Sequence, residues 1–286
     1  MANRLPQVRR RLSEFDADAV LLSALSNVRW ACGFTGSNGL LLVGREGAVF
    51  VTDGRYTEQA RQEVGGAEIV IATEGLLSRL AELDYFDSYD QVLFQADHVT
   101  VSREEQLREH LPDIQWMGES NLLRDFVAEK ESGEVDRIRR AQRITEAVFE
   151  HILTILEPGL TEREVAAEIT YQHLKRGAEK MAFDPIVASG PNGARPHARP
   201  TERTLRTGEL IVFDMGCFHR GYASDMTRTV ALGSVPDAAR RGYDVVREAQ
   251  KRALDAARSS LTGKELDAVS REVIDDAGLE EAFAHG

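Results

Sequence analysis

Apolar positions in the first part of the chain switch repeatedly between two spacings. Residues 5–15 carry them three and four apart on a basic amphipathic stretch, which predicts a helix. Residues 19–24, 40–43 and 48–52 are short apolar runs of strand length. A helical segment after Asp53-Gly54-Arg55-Tyr56, another apolar run at 91–95 and a polar helix over 102–110 continue this alternation to about residue 125. The pattern is that of an α/β domain. The charged stretch from Glu129 to Glu134 offers nothing to bury, and its Ser132-Gly133 pair breaks either period, so a domain boundary is placed beside it. Two domains follow, residues 1–126 and 127–286.

The second part opens on a long helix, residues 134–156, whose apolar stripe is Ile138, Ala141, Ile144, Val148, Ile152 and Ile155. Pro158-Gly159 stops it. Thr161 with Glu164 three residues later is a capping box that starts a second helix, to about Lys175. Helical segments over 238–259 and 264–277 come after a strand-rich middle, so this domain reads as α+β. No repeats or low-complexity segments interrupt it.

Composition narrows the classes. Thirty-five basic against 47 acidic residues give a formal charge of −12, which repels phosphate backbones and anionic lipid; no nucleic-acid partner and no membrane is expected. Cys32 and Cys217 are the two cysteines and lie in apolar stretches, as free thiols do in a reducing compartment. The N-terminus lacks the apolar run of a signal peptide, and no stretch approaches membrane-spanning length. Cytoplasmic location is expected.

The candidate chemistry lies in the strand-rich middle. Residues 209–217 and 222–231 are rich in Val, Ile, Phe, Tyr or Thr and flank Phe218-His219-Arg220-Gly221, which predicts a hairpin. Centred between His219 and Arg220, it sets Asp214 directly opposite Asp225. Like charges at that spacing destabilise. Relief could come from a proton shared by the two acids or from divalent cations using both as ligands. The cation is favoured because Leu210, Val212, Ala223, Thr227 and Thr229 share their face as a dry wall. The bland alternative has two solvated turn flankers, or a register slipped by one residue. Upstream, the segment from Ala188 to His197 holds two glycines and two prolines, which prescribe a shaped loop without the spacing of a phosphate loop. Pro196 fixes His197, making it a candidate imidazole for proton transfer.

These motifs together resemble the aminopeptidase P, prolidase and creatinase family. Phe183-Asp184-Pro185-Ile186-Val187-Ala188-Ser189-Gly190 with Asn192, Ala194, Pro196 and His197 is similar to its substrate-side loop; Asp214-Met215-Gly216, Gly221-Tyr222 and Ser224-Asp225-Met226-Thr227-Arg228-Thr229 are similar to its metal hairpin. Asn27-Val28-Arg29-Trp30, Gly33-Phe34-Thr35-Gly36-Ser37 and Thr52-Asp53-Gly54-Arg55-Tyr56 resemble the family's N-terminal domain, where structural roles are expected, Arg55 as an ion-pair partner.

The resemblance implies a creatinase-type N-terminal α/β domain followed by a pita-bread catalytic domain, incomplete at its C-terminus. It implies two divalent metal ions, Mn²⁺, Co²⁺ or Zn²⁺, with Asp214 a ligand of one and Asp225 bridging both, and His197 as the catalytic imidazole. The implied activity is hydrolysis of the bond before proline in proline-containing peptides by an Xaa-Pro aminopeptidase, usually a homodimer. A dipeptidase (prolidase), a creatinase-like hydrolase and a non-catalytic pita-bread binding protein are the alternatives. The family's Gly-His-Gly ligand and two later Glu ligands have no counterpart in the sequence, and His285 is held out of the site as the neighbouring histidine. The 286-residue chain by itself is therefore expected to be inactive.

Overall fold

In the computed structural model, residues 3–283 are described, and the chain divides into two compact units, Met1–Glu131 and Ser132–Gly286. The first runs α1 (Leu5–Glu14), β1 (Ala19–Leu22), α2 (Leu25–Cys32), β2 (Leu40–Gly44), β3 (Ala48–Asp53), α3 (Thr57–Glu63), β4 (Glu68–Ala72), α4 (Leu76–Ala81), β5 (Gln91–Gln95), α5 (Val101–His110), β6 (Gln115–Glu119) and α6 (Arg124–Ala128). Its six strands form one mixed sheet ordered β4-β3-β2-β1-β5-β6, with β1, β2 and β3 antiparallel and the outer pairings parallel.

Both faces of this sheet are covered, which explains why its strands read as unbroken apolar runs. Val20 and Leu22 pack with Val8 and Leu12 of α1, while Ala19 and Leu21 pack with Leu77 and Leu80 of α4 on the other side. At the end of β3, Arg55 Nε and Nη2 each donate to the Asp53 carboxylate at 2.9 Å, and Asn38 Nδ2 donates to it as well. That is the ion-pair role expected of Arg55. No helix among the described residues is long and apolar enough to cross a membrane.

The second unit runs α7 (Ser132–Ile155), α8 (Glu162–Lys175), β7 (Lys180–Met181), β8 (Ile186–Ser189), β9 (Glu209–Met215), β10 (Cys217–His219), β11 (Tyr222–Ala223), β12 (Met226–Leu232), α9 (Asp237–Ala256) and α10 (Gly263–Asp276). Ser132 and Gly133 form the first turn of α7, not a break before it. The helix tolerates them because its first turn donates few intrahelical bonds and Glu134, on that turn, is buried with Tyr222 donating to it. The Thr161/Glu164 capping box forms both of its bonds.

The strand-rich middle folds into two three-stranded antiparallel sheets, β11-β10-β7 and β12-β9-β8. Two-residue alternation along β9 sends Ile211, Phe213 and Met215 into a core with Val148 and Ile152 of α7 and Val165 and Ile169 of α8. Val212 and Asp214 point the other way. The second face is half-open: Val212, Asp214 and Thr229 are partly covered, and Ala223 and Thr227 are exposed. The expected dry wall is a wet one, because the helices pack on the opposite side.

The long hairpin is interrupted between β9 and β10 at Gly216 and between β11 and β12 at Ser224 and Asp225. A Cβ built on Gly216 would lie 2.0 Å from the Ser224 carbonyl oxygen. No side chain fits there, so the crossing of the two chains at this point requires glycine.

Candidate metal site and its loop

The hairpin turn is Arg220-Gly221, flanked by the pair His219 and Tyr222. Both turn residues have positive φ, 49° and 82°, as a two-residue turn of the type I′ family requires. Its centre is one residue later than the sequence suggested, and every partner shifts by two. Asp214 lies opposite Thr227, not Asp225. Asp225 stands two residues before Thr227, diagonally across from Asp214, a relation that spans about 7–8 Å in a regular ladder instead of about 5 Å. A shift of two keeps both acids on one side of the hairpin. A shift of one would have separated them.

The acids still sense each other. Partial desolvation raises the carboxyl of Asp225, itself an exposed residue, above its ordinary pKa, and the Asp214 charge adds to that. Asp214 is oriented by Thr227, whose hydroxyl donates to Oδ1 at 2.8 Å. Its other β neighbour is Ile186 of β8, so the carboxylate is flanked by one hydroxyl and one hydrocarbon. Two carboxylates in electrostatic contact, on an open face with no cationic side chain donating to Asp214 or Asp225 in the hydrogen bonds described, suit a divalent cation in donor chemistry. Among the described residues, no three His, Cys, Asp or Glu side chains gather as a metal site, so the pair supplies two ligands and no more. His285 lies outside the described residues.

His197 is carried on the loop that follows β8. The loop begins with a short 3-10 turn, Gly190–Ala194, and the Gly193 Cα stands close enough to Val212 that an added Cβ would be 3.7 Å from Cγ2. Val212 neighbours Asp214 on the same side of β9. His197 itself is exposed, two residues past the turn's end at Arg195.

What holds this loop was not foreseen from the sequence. Glu162, the first residue of α8, is fully buried and accepts from Ser189 N and Oγ, both at 2.8 Å, from Asn192 Nδ2 at 3.0 Å, and from Thr201 Oγ1 at 2.7 Å and N at 3.1 Å. Both ends of the loop are thus tied to one carboxylate. Arg203 completes the tie, donating to Ser189 Oγ and pairing with Glu209 at the start of β9. Burial alone would raise the Glu162 pKa; the hydrogen bonds from Thr201, Ser189 and Asn192 outweigh it and hold the group below the usual carboxylate range. The signal in the sequence was faint: an acid inside a capping box, one residue after the cap and overshadowed by Glu164.

A consequence is measurable. Glu162→Gln places an amide N–H among donors that need acceptors, and should cost about 3 kcal/mol in denaturant unfolding. Because the native pKa is depressed, the carboxylate's contribution is fully present above the unfolded value of about 4.3 and disappears as pH falls through the lower native value. The wild type should therefore lose more stability than Glu162→Gln on acidification through that window.

Residues 136–286 match the model described as metallopeptidase family M24, and residues 4–126 match the creatinase/prolidase N-terminal domain. An Xaa-Pro dipeptidase of Pyrococcus furiosus is 30% identical over 295 residues, covering 100% of this chain and 80% of that protein. Among solved structures, an Xaa-Pro dipeptidase from Bacillus anthracis superposes with a TM-score of 0.94 at 34% identity, over 99% of this chain and 79% of that one. An X-Pro aminopeptidase from Thermotoga maritima gives 0.89 at 32% identity, over 95% and 79%.

Proposed function

Since this chain belongs to metallopeptidase family M24, with a creatinase-type N-terminal domain and a pita-bread catalytic domain, we propose that it hydrolyses the peptide bond preceding proline, as an Xaa-Pro dipeptidase. The observation that carries this is the uncompensated Asp214/Asp225 pair facing the side on which the His197 loop is fixed. Preference for a dipeptide over a longer peptide is supported by the Bacillus and Pyrococcus relatives, both Xaa-Pro dipeptidases. An aminopeptidase is the second reading, supported by the Thermotoga structure.

Asp214 and Asp225 would hold the divalent ions, Mn²⁺, Co²⁺ or Zn²⁺. When bound, these ions polarise the scissile carbonyl and lower the pKa of water. Thr227 keeps one Asp214 oxygen engaged, and the other accepts no side-chain donor among the hydrogen bonds described, which leaves it for a cation. The His197 imidazole, exposed and held on a braced loop, is the group offered for proton transfer at the leaving nitrogen. Two carboxylates alone bind a divalent ion weakly, so removing either should weaken metal binding strongly.

Ala-Pro, Ala-Pro-Ala and Ala-Ala, each incubated with the protein over a range of Mn²⁺ concentrations and followed by chromatography, test the proposal. Release of proline from Ala-Pro, abolished by a chelator and absent with Ala-Ala, is expected. Cleavage that survives chelation would remove the metal from the mechanism. Equal cleavage of Ala-Ala would remove the proline preference, and faster cleavage of Ala-Pro-Ala would favour the aminopeptidase.

A further inference from the structure

Behind the acid pair lies a chain of buried polar groups that the chemistry above does not use. His173, in the last turn of α8, Thr145, in the middle of α7, and Cys217 on the hairpin are fully buried, and Ser224, also on the hairpin, is 4% exposed. His173 Nδ1 is 2.9 Å from the Ile169 carbonyl and Nε2 is 3.2 Å from Thr145 Oγ1. Thr145 Oγ1 is 2.8 Å from Ser224 Oγ, and the Cys217 N–H donates to Ser224 Oγ at 3.0 Å.

The protons in this chain can be assigned by elimination. A carbonyl oxygen only accepts, so His173 Nδ1 carries the ring proton. In a neutral ring Nε2 then only accepts, and Thr145 must spend its one hydroxyl hydrogen there. Ser224 in turn directs its hydrogen to Thr145 at 2.8 Å, with the Cys217 carbonyl a longer second acceptor at 3.3 Å, and accepts from the Cys217 N–H. Burial, with the Arg176 charge nearby, lowers the imidazole pKa and keeps the ring neutral. The result is a one-way series from the hairpin backbone through α7 to α8. Three apolar side chains of similar shape would fill this space without having to satisfy buried polar atoms, so packing alone does not account for the set.

Ser224 is the residue before Asp225, and its carbonyl is the atom pressed against Gly216. We propose that His173 is a positioning residue for Asp225, acting through Thr145 and Ser224 to fix the hairpin where the carboxylate leaves it. This rests on Asp225 serving as a metal ligand. The chain supplies what the open face lacks: Asp225 has no side-chain donor of its own among the hydrogen bonds described, so its place is set through the backbone on either side.

Thr145→Val removes the relay at nearly constant volume, and Thr145→Ser keeps the hydroxyl. Nitrogen NMR of His173 should show the Nδ1–H tautomer in the wild type; the Nε2–H tautomer would overturn the proposal. Hydrogen exchange at the Cys217 amide, normalised to amides of β8, should quicken about tenfold in Thr145→Val and stay near wild type in Thr145→Ser. The Asp225 side-chain carboxyl resonance should move in the valine variant alone, and Mn²⁺ affinity, measured by titration, should fall about tenfold in it alone. Equal exchange and an unmoved Asp225 signal in Thr145→Val would overturn the proposal, as would losses shared equally by the serine variant. A wild type that binds no Mn²⁺ but shows the exchange pattern would retire the metal role of Asp225 and leave its positioning standing.

Discussion

Asp225→Asn should abolish measurable Mn²⁺ binding, lowering affinity by more than the roughly ten- to hundredfold typical of losing a ligand's outer partner, and should stop proline release with it. The same variant should be no less stable than the wild type without metal. The sign follows from the raised pKa. A carboxyl whose native pKa lies above its unfolded value opposes folding once both states are ionised, and the penalty fades as pH falls through the native value. Asparagine removes that charge at every pH. Thermal unfolding in chelator, at neutral and mildly acidic pH, should show a wild type that gains on the variant as the acid protonates. A large loss of stability in Asp225→Asn would mean that the acid is a structural partner and not a ligand held at a cost.

Gly216→Ala should have the largest effect on folding of any single methyl group added to this hairpin. With 2.0 Å available to the Ser224 carbonyl, the added carbon forces the two strands apart. A cost of about 3 kcal/mol or more is expected, of the kind seen for overpacked cores. The shift should also reach Asp225, so residual Mn²⁺ affinity should fall in the fraction that folds. Denaturant unfolding and Mn²⁺ titration of the purified variant check both.

Much of the architecture was legible because period and punctuation agreed. The helix Leu5–Glu14, the strands Leu40–Gly44 and Ala48–Asp53, and the capped helix Glu162–Lys175 all came from apolar spacing and end signals within a residue or two. The hairpin was legible as a hairpin, but its register was not. Arg220 takes a left-handed conformation that favours Gly, Asn or Asp, so the usual two-residue signal was missing and the centre fell one residue early. Ser132-Gly133 misled in the opposite sense, since residues that interrupt a helix are tolerated at its first turn. The residues of the acid pair were visible as a motif. The ties that hold their surroundings, Glu162 to the loop and Thr145 to Ser224, join positions 27 to 79 residues apart, and no local pattern announces such partners.

The alternation along β9 has a consequence for how this segment can change over generations. Phe213 and Met215, both with no exposed surface, bracket Asp214, so the strand presents its acid only by committing its neighbours to the core. Exchanging one residue for another on the open face alters the acid side and leaves the interior intact. Gaining or losing a single residue between Glu209 and the Arg220-Gly221 turn would send Asp214 inward and two core side chains outward together. This stretch of the gene should therefore accept substitutions on one side and reject length changes of one, while adding two residues at the turn would preserve both sides.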